Sequence, residues 1–122
     1  IYYSLQVGDG SDQALDPPAG MVLRDYSAEL TDFAATAALI ANLDLVITID
    51  SAVAHLAGAL GMETWVLLPY AADWRWMTGR SDSPWYQRMQ LFRQQTPGNW
   101  RMPVAAMLER LQTIRAGYGV PR

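Results

Sequence analysis

Two spacings of apolar residues alternate along this chain. The segment 1–6 and the segment Leu45–Ile49 are short apolar runs rich in aromatic or β-branched residues, and each reads as a core strand. Thr64–Leu68, closed by Pro69, and Gln90–Phe92 read the same way, and Met21–Leu23 is a shorter strand candidate. Between these runs the spacing is helical. Thr31 or Asp32 can cap a helix from Phe33 to Ala41 with Phe33, Ala37, Ile40 and Ala41 as its apolar face, ended by Asn42 and Asp44. Ala52–Leu60 is apolar nearly all round, which predicts a buried helix, broken at Gly61. Trp100–Arg115 carries Val104, Met107, Leu108, Leu111 and Ile114 on one face, and the residues after it are expected to be loose.

The segment Val7–Gly20 is rich in Gly and Pro and reads as loop, with one helical turn at Ser11–Leu15. Residues 70–86 fit no period. They hold Trp74, Trp76, Trp85 and Tyr86 among Asp73, Arg75, Arg80, Asp82 and Pro84, and a loop of this length and aromatic content is expected to pack over a site or a partner domain. Strands alternating with helices predict an α/β fold with a mostly parallel sheet.

Composition narrows the function classes. With 122 residues the chain fits one domain with a real core, and its 51% hydrophobic content excludes disorder. A net charge of −3 with no basic block gives no support for nucleic-acid binding. No apolar run is long enough for a membrane span. The absence of cysteine excludes disulfides and thiolate metal sites and fits a reducing compartment, so a cytoplasmic location is expected. The chain opens on Ile1 inside a strand-like run, which reads as a piece of something longer.

Candidate chemistry gathers where the 45–49 strand gives way to the next helix. Asp50 closes the strand, and Ser51 and Ala52 start the helix, whose free N–H groups suit a phosphate or diphosphate. Equally, Ser51 can be a simple cap and Asp50 a loop brace. His55 lies one turn into an otherwise apolar helix and needs a partner there, either a ligand oxygen or a backbone carbonyl. As the only histidine it excludes a multi-histidine metal site within the chain. Asp50, Ser51 and His55 do not make a hydrolytic triad, because Ser51 and His55 share one short helix and no nucleophile elbow precedes them. Gln6, with Asp9 just beyond it, either faces the same crevice or lies in a solvent loop. Within Asp73, Trp74, Arg75 and Trp76, Arg75 can neutralise a phosphate and a tryptophan can stack on a base or sugar, or the tryptophans simply anchor the loop. Arg93 ends the last strand, where an acidic partner is expected, and Gly58 and Gly61 are expected to allow close packing and a turn. No dinucleotide-binding glycine fingerprint is present, and the chain has no lysine for a phosphate loop.

Ser4-Leu5-Gln6, the segments 32–40 and 42–47, the run Asp50-Ser51-Ala52-Val53-Ala54-His55-Leu56-Ala57-Gly58-Ala59-Leu60-Gly61, Trp74-Arg75-Trp76 and Ser83-Pro84-Trp85-Tyr86 together resemble the carboxyl-terminal half of bacterial glycosyltransferase-like domains. These domains are similar to the heptosyltransferases of lipopolysaccharide synthesis and, more remotely, to the O-linked N-acetylglucosamine transferases, and are often fused behind tetratricopeptide repeats. The resemblance covers most of residues 3–115. It implies a three-layer, Rossmann-like parallel sheet forming the carboxyl-terminal domain of a two-domain GT-B glycosyltransferase, with residues 1–122 as a partial nucleotide-sugar-binding domain and 70–86 as an aromatic loop within it.

The resemblance further implies that Asp50, Ser51, Ala52 and His55 surround the donor diphosphate, that His55 is the catalytic residue assisting its departure, and that Gln6, Trp74 and Arg75 join the donor site. The nucleotide sugar would be the only small-molecule requirement, with no metal. The missing partners would be an amino-terminal domain, tetratricopeptide repeats, or a second copy of the chain. Where the family often has Thr, this chain has Ser51, which keeps the hydroxyl; Met62-Glu63 replaces a frequent Lys-Pro. Such domains place a further central strand before Ser-Leu-Gln, so the sheet is expected either to have an empty slot beside the first strand or to close up. Three functions fit: the donor-binding half of an inverting glycosyltransferase, a silent binding or scaffold module on the same fold, or a phosphate-binding enzyme of another class such as an epimerase.

Overall fold

The computed structural model describes residues 1–118, with side chains to Arg115. The chain divides into two compact units, Ile1–Leu43 and Asp44–Arg122. The expected loose tail lies outside the described residues, apart from 116–118, which continue the last helix.

In the first unit, strand β1 (Tyr2–Ser4) pairs in parallel with β2 (Leu23–Asp25), Tyr2 opposite Leu23. Parallel neighbours need a long crossover, and residues 5–22 provide it through a 3-10 turn at Ser11–Leu15. Gly10 enters that turn at φ 85, where a side chain would be strained. Tyr3 stacks on Tyr26 with ring centroids 5.8 Å apart. Helix α1 (Phe33–Ile40) is capped by Asp32, whose Oδ1 accepts from the Ala35 N–H at 2.8 Å.

Three expectations change here. β1 is shorter than 1–6 and is no core strand, since Ile1 and Tyr2 are exposed. β2 falls two residues later than expected. Phe33 is 66% exposed, and Thr36 and Ile40 are the buried residues of α1.

The second unit runs β3 (Val46–Ile49), α2 (Ala52–Ala59), β4 (Thr64–Leu68), a 3-10 turn at Trp74–Trp76, β5 (Met89–Arg93) and α3 (Arg101–Tyr118). Its strands are all parallel in the order β3-β4-β5, with Val46 opposite Thr64 and Thr64 opposite Met89. Alternation along the strands makes three layers. Val66, Leu68, Met89 and Leu91 pack with Ala54 of α2 and with Trp76. Trp65 and Phe92 point the other way and pack on Met107 of α3. α2 stops in a Schellman turn: the Met62 N–H donates to Ala57 O at 3.1 Å and the Gly61 N–H to Gly58 O at 3.0 Å, with Gly61 at φ 72.

The strands form two parallel ladders, β1-β2 and β3-β4-β5, and with the three helices they make the parallel α/β arrangement expected of a Rossmann-like fragment. β1 takes its hydrogen bonds from β2, and no ladder joins it to β3 among the described residues. α2 is buried on one side only, through Ala54 and Ala57, while Ala52, Ala59 and Leu60 are exposed. On α3 the buried line is Met107 with Leu111 and Ile114 packed beside it; Val104 and Leu108 sit past the edge of the sheet-facing stripe and are exposed. Among the described residues no helix is long and apolar enough to cross a membrane.

Candidate functional site

The site begins where β3 ends. Asp50 follows the strand, and Ser51, in extended conformation, opens α2. Ser51 does not cap the helix with its side chain. Its Oγ donates to Ile49 O at 3.1 Å, so the contact to Thr48 Oγ1, also 3.1 Å, has Thr48 as donor. The Ser51 carbonyl accepts from the Ala54 N–H, while the first amides of α2 have no acceptor within the helix by helical geometry. The hydroxyl therefore braces the strand end and leaves the amide end of the helix open. Ala52, the first helical residue, is exposed.

One turn on, His55 is held on three sides. Its Nδ1 lies 3.0 Å from the Tyr86 hydroxyl. Its ring stacks on the Trp76 indole, centroids 5.1 Å apart at 22°. Its Nε2 lies 4.0 Å from Asp50 Oδ1, with both side chains about one-third exposed at 35%. The histidine's partner is thus a tyrosine hydroxyl, neither the backbone carbonyl nor a position free for ligand alone, and its Nε2 edge faces the start of its own helix.

The aromatic loop supplies this pocket. Trp76 is fully buried, and its Nε1 has no hydrogen-bond partner among the described residues. In a 3-10 turn, residues two apart point about 120° away from one another. Trp76 therefore turns inward while Trp74, on the same turn, is 70% exposed.

Arg75 lies over the Trp74 ring at 4.7 Å and pairs with Asp73 at 3.0 Å, so its guanidinium is already engaged. The Arg75 N–H, and after it the guanidinium, holds the Asp73 carboxyl below the usual carboxylate range. Trp85 Nε1 donates to Arg75 O at 2.8 Å.

Two residues fasten the loop to the sheet. Among the described residues Arg93 has no acidic partner, contrary to expectation: it donates from Nε to Arg80 O at 2.8 Å and from Nη2 to Trp76 O. Partial burial, with the nearby Arg80 charge, lowers its pKa. Gln94 is buried, and its Oε1 accepts from the Tyr70 and Gly98 N–H groups. Gly58 allows the close approach expected of it, but to an aromatic ring: a Cβ there would lie 2.6 Å from Tyr86 Cγ.

Asp50, Ser51, Ala52 and His55 therefore come together at one helix end, with Trp74 and Arg75 on the turn that delivers Trp76 to His55. Gln6 belongs to the first unit, where its Nε2 donates to Asp9 O at 2.9 Å. Sequence reasoning places Trp76 and Tyr86 in a loop that packs over a site, but it does not identify them as the residues that hold His55. The signal that could have found them is the need of an isolated helical histidine for a partner, beside a loop rich in aromatics.

Residues 28–101, more than half of the chain, match glycosyltransferase family 9 (heptosyltransferase). No curated protein and no solved structure shows significant similarity to the chain.

Proposed function

The chain belongs to glycosyltransferase family 9, and from that premise we propose that it carries the donor-binding part of an inverting glycosyltransferase. The donor is a nucleoside diphosphate sugar whose diphosphate lies against the amide end of α2. An acceptor hydroxyl oxygen attacks the anomeric carbon, the bond from that carbon to the phosphate oxygen breaks, and the nucleoside diphosphate leaves with the electron pair. The hydroxyl proton passes to a general base in the acceptor-binding part of the enzyme. Negative charge grows on the departing phosphate, and the first amides of α2 together with the Nε2 edge of His55 stabilise it.

The observation that carries this reading is the orientation of His55. Tyr86 and Trp76 hold the imidazole so that Nε2 is directed to the end of α2 occupied by Asp50. Asp50 opposes a diphosphate by its charge, so its proposed role is to accept a hydrogen bond from a sugar hydroxyl of the donor. Trp74 offers an exposed ring face for the base or sugar, and Arg75 reaches phosphate by sharing its charge with Asp73.

A module that binds donor without transfer is the second reading. It is favoured by the partners His55 and Arg75 already have. Incubating the full-length protein with UDP-, GDP- and ADP-sugars and candidate acceptors separates the two. Release of nucleoside diphosphate with an inverted glycoside supports transfer; recovery of intact donor from a protein that binds it supports the module; an isomerised sugar nucleotide contradicts both.

A further inference from the structure

We propose that Asp50 selects the Nε2–H tautomer of His55 and that Tyr86 is a positioning residue that holds it by donating its O–H to Nδ1, so that His55 meets the donor diphosphate as a hydrogen-bond donor and not as a base. The inference rests on the donor-site reading for its consequence, but its geometry stands by itself.

A neutral imidazole has one donor nitrogen and one acceptor nitrogen, and a tyrosine hydroxyl can serve either. The Tyr86 hydroxyl at 3.0 Å from Nδ1 therefore leaves both tautomers open. Asp50 decides between them. With the proton on Nδ1, the Nε2 lone pair would face the Asp50 carboxylate 4.0 Å away, acceptor against anion. With the proton on Nε2, the same edge presents N–H to the carboxylate, an attraction. Nδ1 is then the acceptor, and the Tyr86 O–H donates to it.

The scaffold holds this arrangement. Tyr86 packs against the cluster of Ala54, Val66, Leu68, Trp76, Met89 and Leu91. Its ring sits so close to α2 that only glycine fits at position 58. Trp76 stacks on the imidazole and opposes rotation of the ring. The result is a donor pre-aimed at the helix end, where a ligand oxygen replaces the long contact to Asp50.

The test uses the imidazole nitrogens of His55 in the full-length protein, observed by 15N NMR and assigned by their loss in His55→Gln. In the wild type, Nδ1 is expected to resonate as an unprotonated acceptor and Nε2 as a protonated nitrogen. Asp50→Asn removes the selecting charge and is expected to move the two shifts toward each other as both tautomers become populated, while Tyr86→Phe keeps the ring, removes the O–H and is expected to move the Nδ1 shift by loss of its hydrogen bond. A protonated Nδ1 in the wild type, an unchanged Asp50→Asn spectrum, or an Nδ1 shift unmoved by Tyr86→Phe overturns the inference.

Titration with UDP, GDP and ADP gives the second readout. Tyr86→Phe is expected to weaken diphosphate binding about threefold to tenfold, the range of one neutral hydrogen bond. In the His55→Ala background it should have no further effect. Equal weakening in both backgrounds would assign Tyr86 a structural role only and overturn the inference. If no diphosphate binds the folded wild type while the tautomer is as stated, the donor-site reading fails and the assignment of Tyr86 stands.

Discussion

Tyr86 occupies the space that a side chain on Gly58 would need: a Cβ built there lies 2.6 Å from Tyr86 Cγ and 2.9 Å from Met89 Cε. Two effects of Gly58→Ala oppose each other. Alanine improves helix propensity by about 1 kcal/mol. Overpacking against a ring and a methyl held in the core costs about 1–3 kcal/mol and prevails, because both neighbours must move. The variant should unfold at lower urea concentration than the wild type and lose the Tyr86–His55 hydrogen bond. A midpoint equal to or above the wild type would mean that Tyr86 is free to shift.

Arg93 holds the aromatic loop by its backbone, through Trp76 O and Arg80 O. Arg93→Met keeps the apolar stem and leaves two carbonyls without their donor, at a cost of about 1–3 kcal/mol. The loop should open before the sheet does. Tryptic cleavage after Arg75 and Arg80 is the direct measure: it should accelerate in the variant, and an unchanged rate would show the loop is held by its tryptophans alone.

The second unit was largely legible from sequence, because its elements follow local spacing. Thr64–Leu68 forms the strand its apolar run predicts, and β3, α2 and β5 fall within two residues of their expected ends. Asp32 caps α1 as a residue of its type before an apolar run should. The misreadings share a cause. The rim of a small sheet cannot be deduced from helix phase, so Val104, Leu108 and Phe33 were assigned to core and are exposed. Ser51 occupies a cap position, yet its hydroxyl turns back to Ile49 because a nearer strand-end carbonyl competes. The inward turn of Trp76 and the reach of Tyr86 over Gly58 are long-range contacts inside a stretch without period. The residue types hinted at a site; the geometry had to come from the fold.

Acid should weaken the loop in a definite window. The folded-state pKa of Asp73 lies below its ordinary value of 3.8, first through the Arg75 N–H and then through the Arg75 guanidinium. A lowered carboxylate value means a contribution that is complete above that ordinary value and fades as pH falls through the lowered one. Asp82, held down by Arg80, behaves in the same sense. Both groups are exposed, so the effect is small. Thermal melts of Asp73→Asn should fall slightly below the wild type near about pH 6, and the two should converge near about pH 2. A gap that widens with acid would contradict this.

Met77 adopts φ 57 and ψ −160, the one non-glycine residue at positive φ among those described. Such a conformation costs about 1–3 kcal/mol. The side chain is 45% exposed, so little packing is lost on removing it. Met77→Gly should leave the melting temperature equal or raise it by a few degrees, while Met77→Val should lower it, since β-branching is least tolerated there. The reverse order would place Met77 in ordinary backbone.

In the proposed site a donor diphosphate sits at the start of α2 against His55. Calorimetric titration of the full-length protein and its His55→Ala variant with UDP, GDP, ADP and their sugar conjugates tests it most directly, with circular dichroism to verify that both are folded. At least one diphosphate should bind the wild type, and His55→Ala should weaken it by about tenfold or more, the scale of a hydrogen bond to a charged group. Binding left unchanged in a folded His55→Ala, or no diphosphate binding by the folded wild type, would contradict the account.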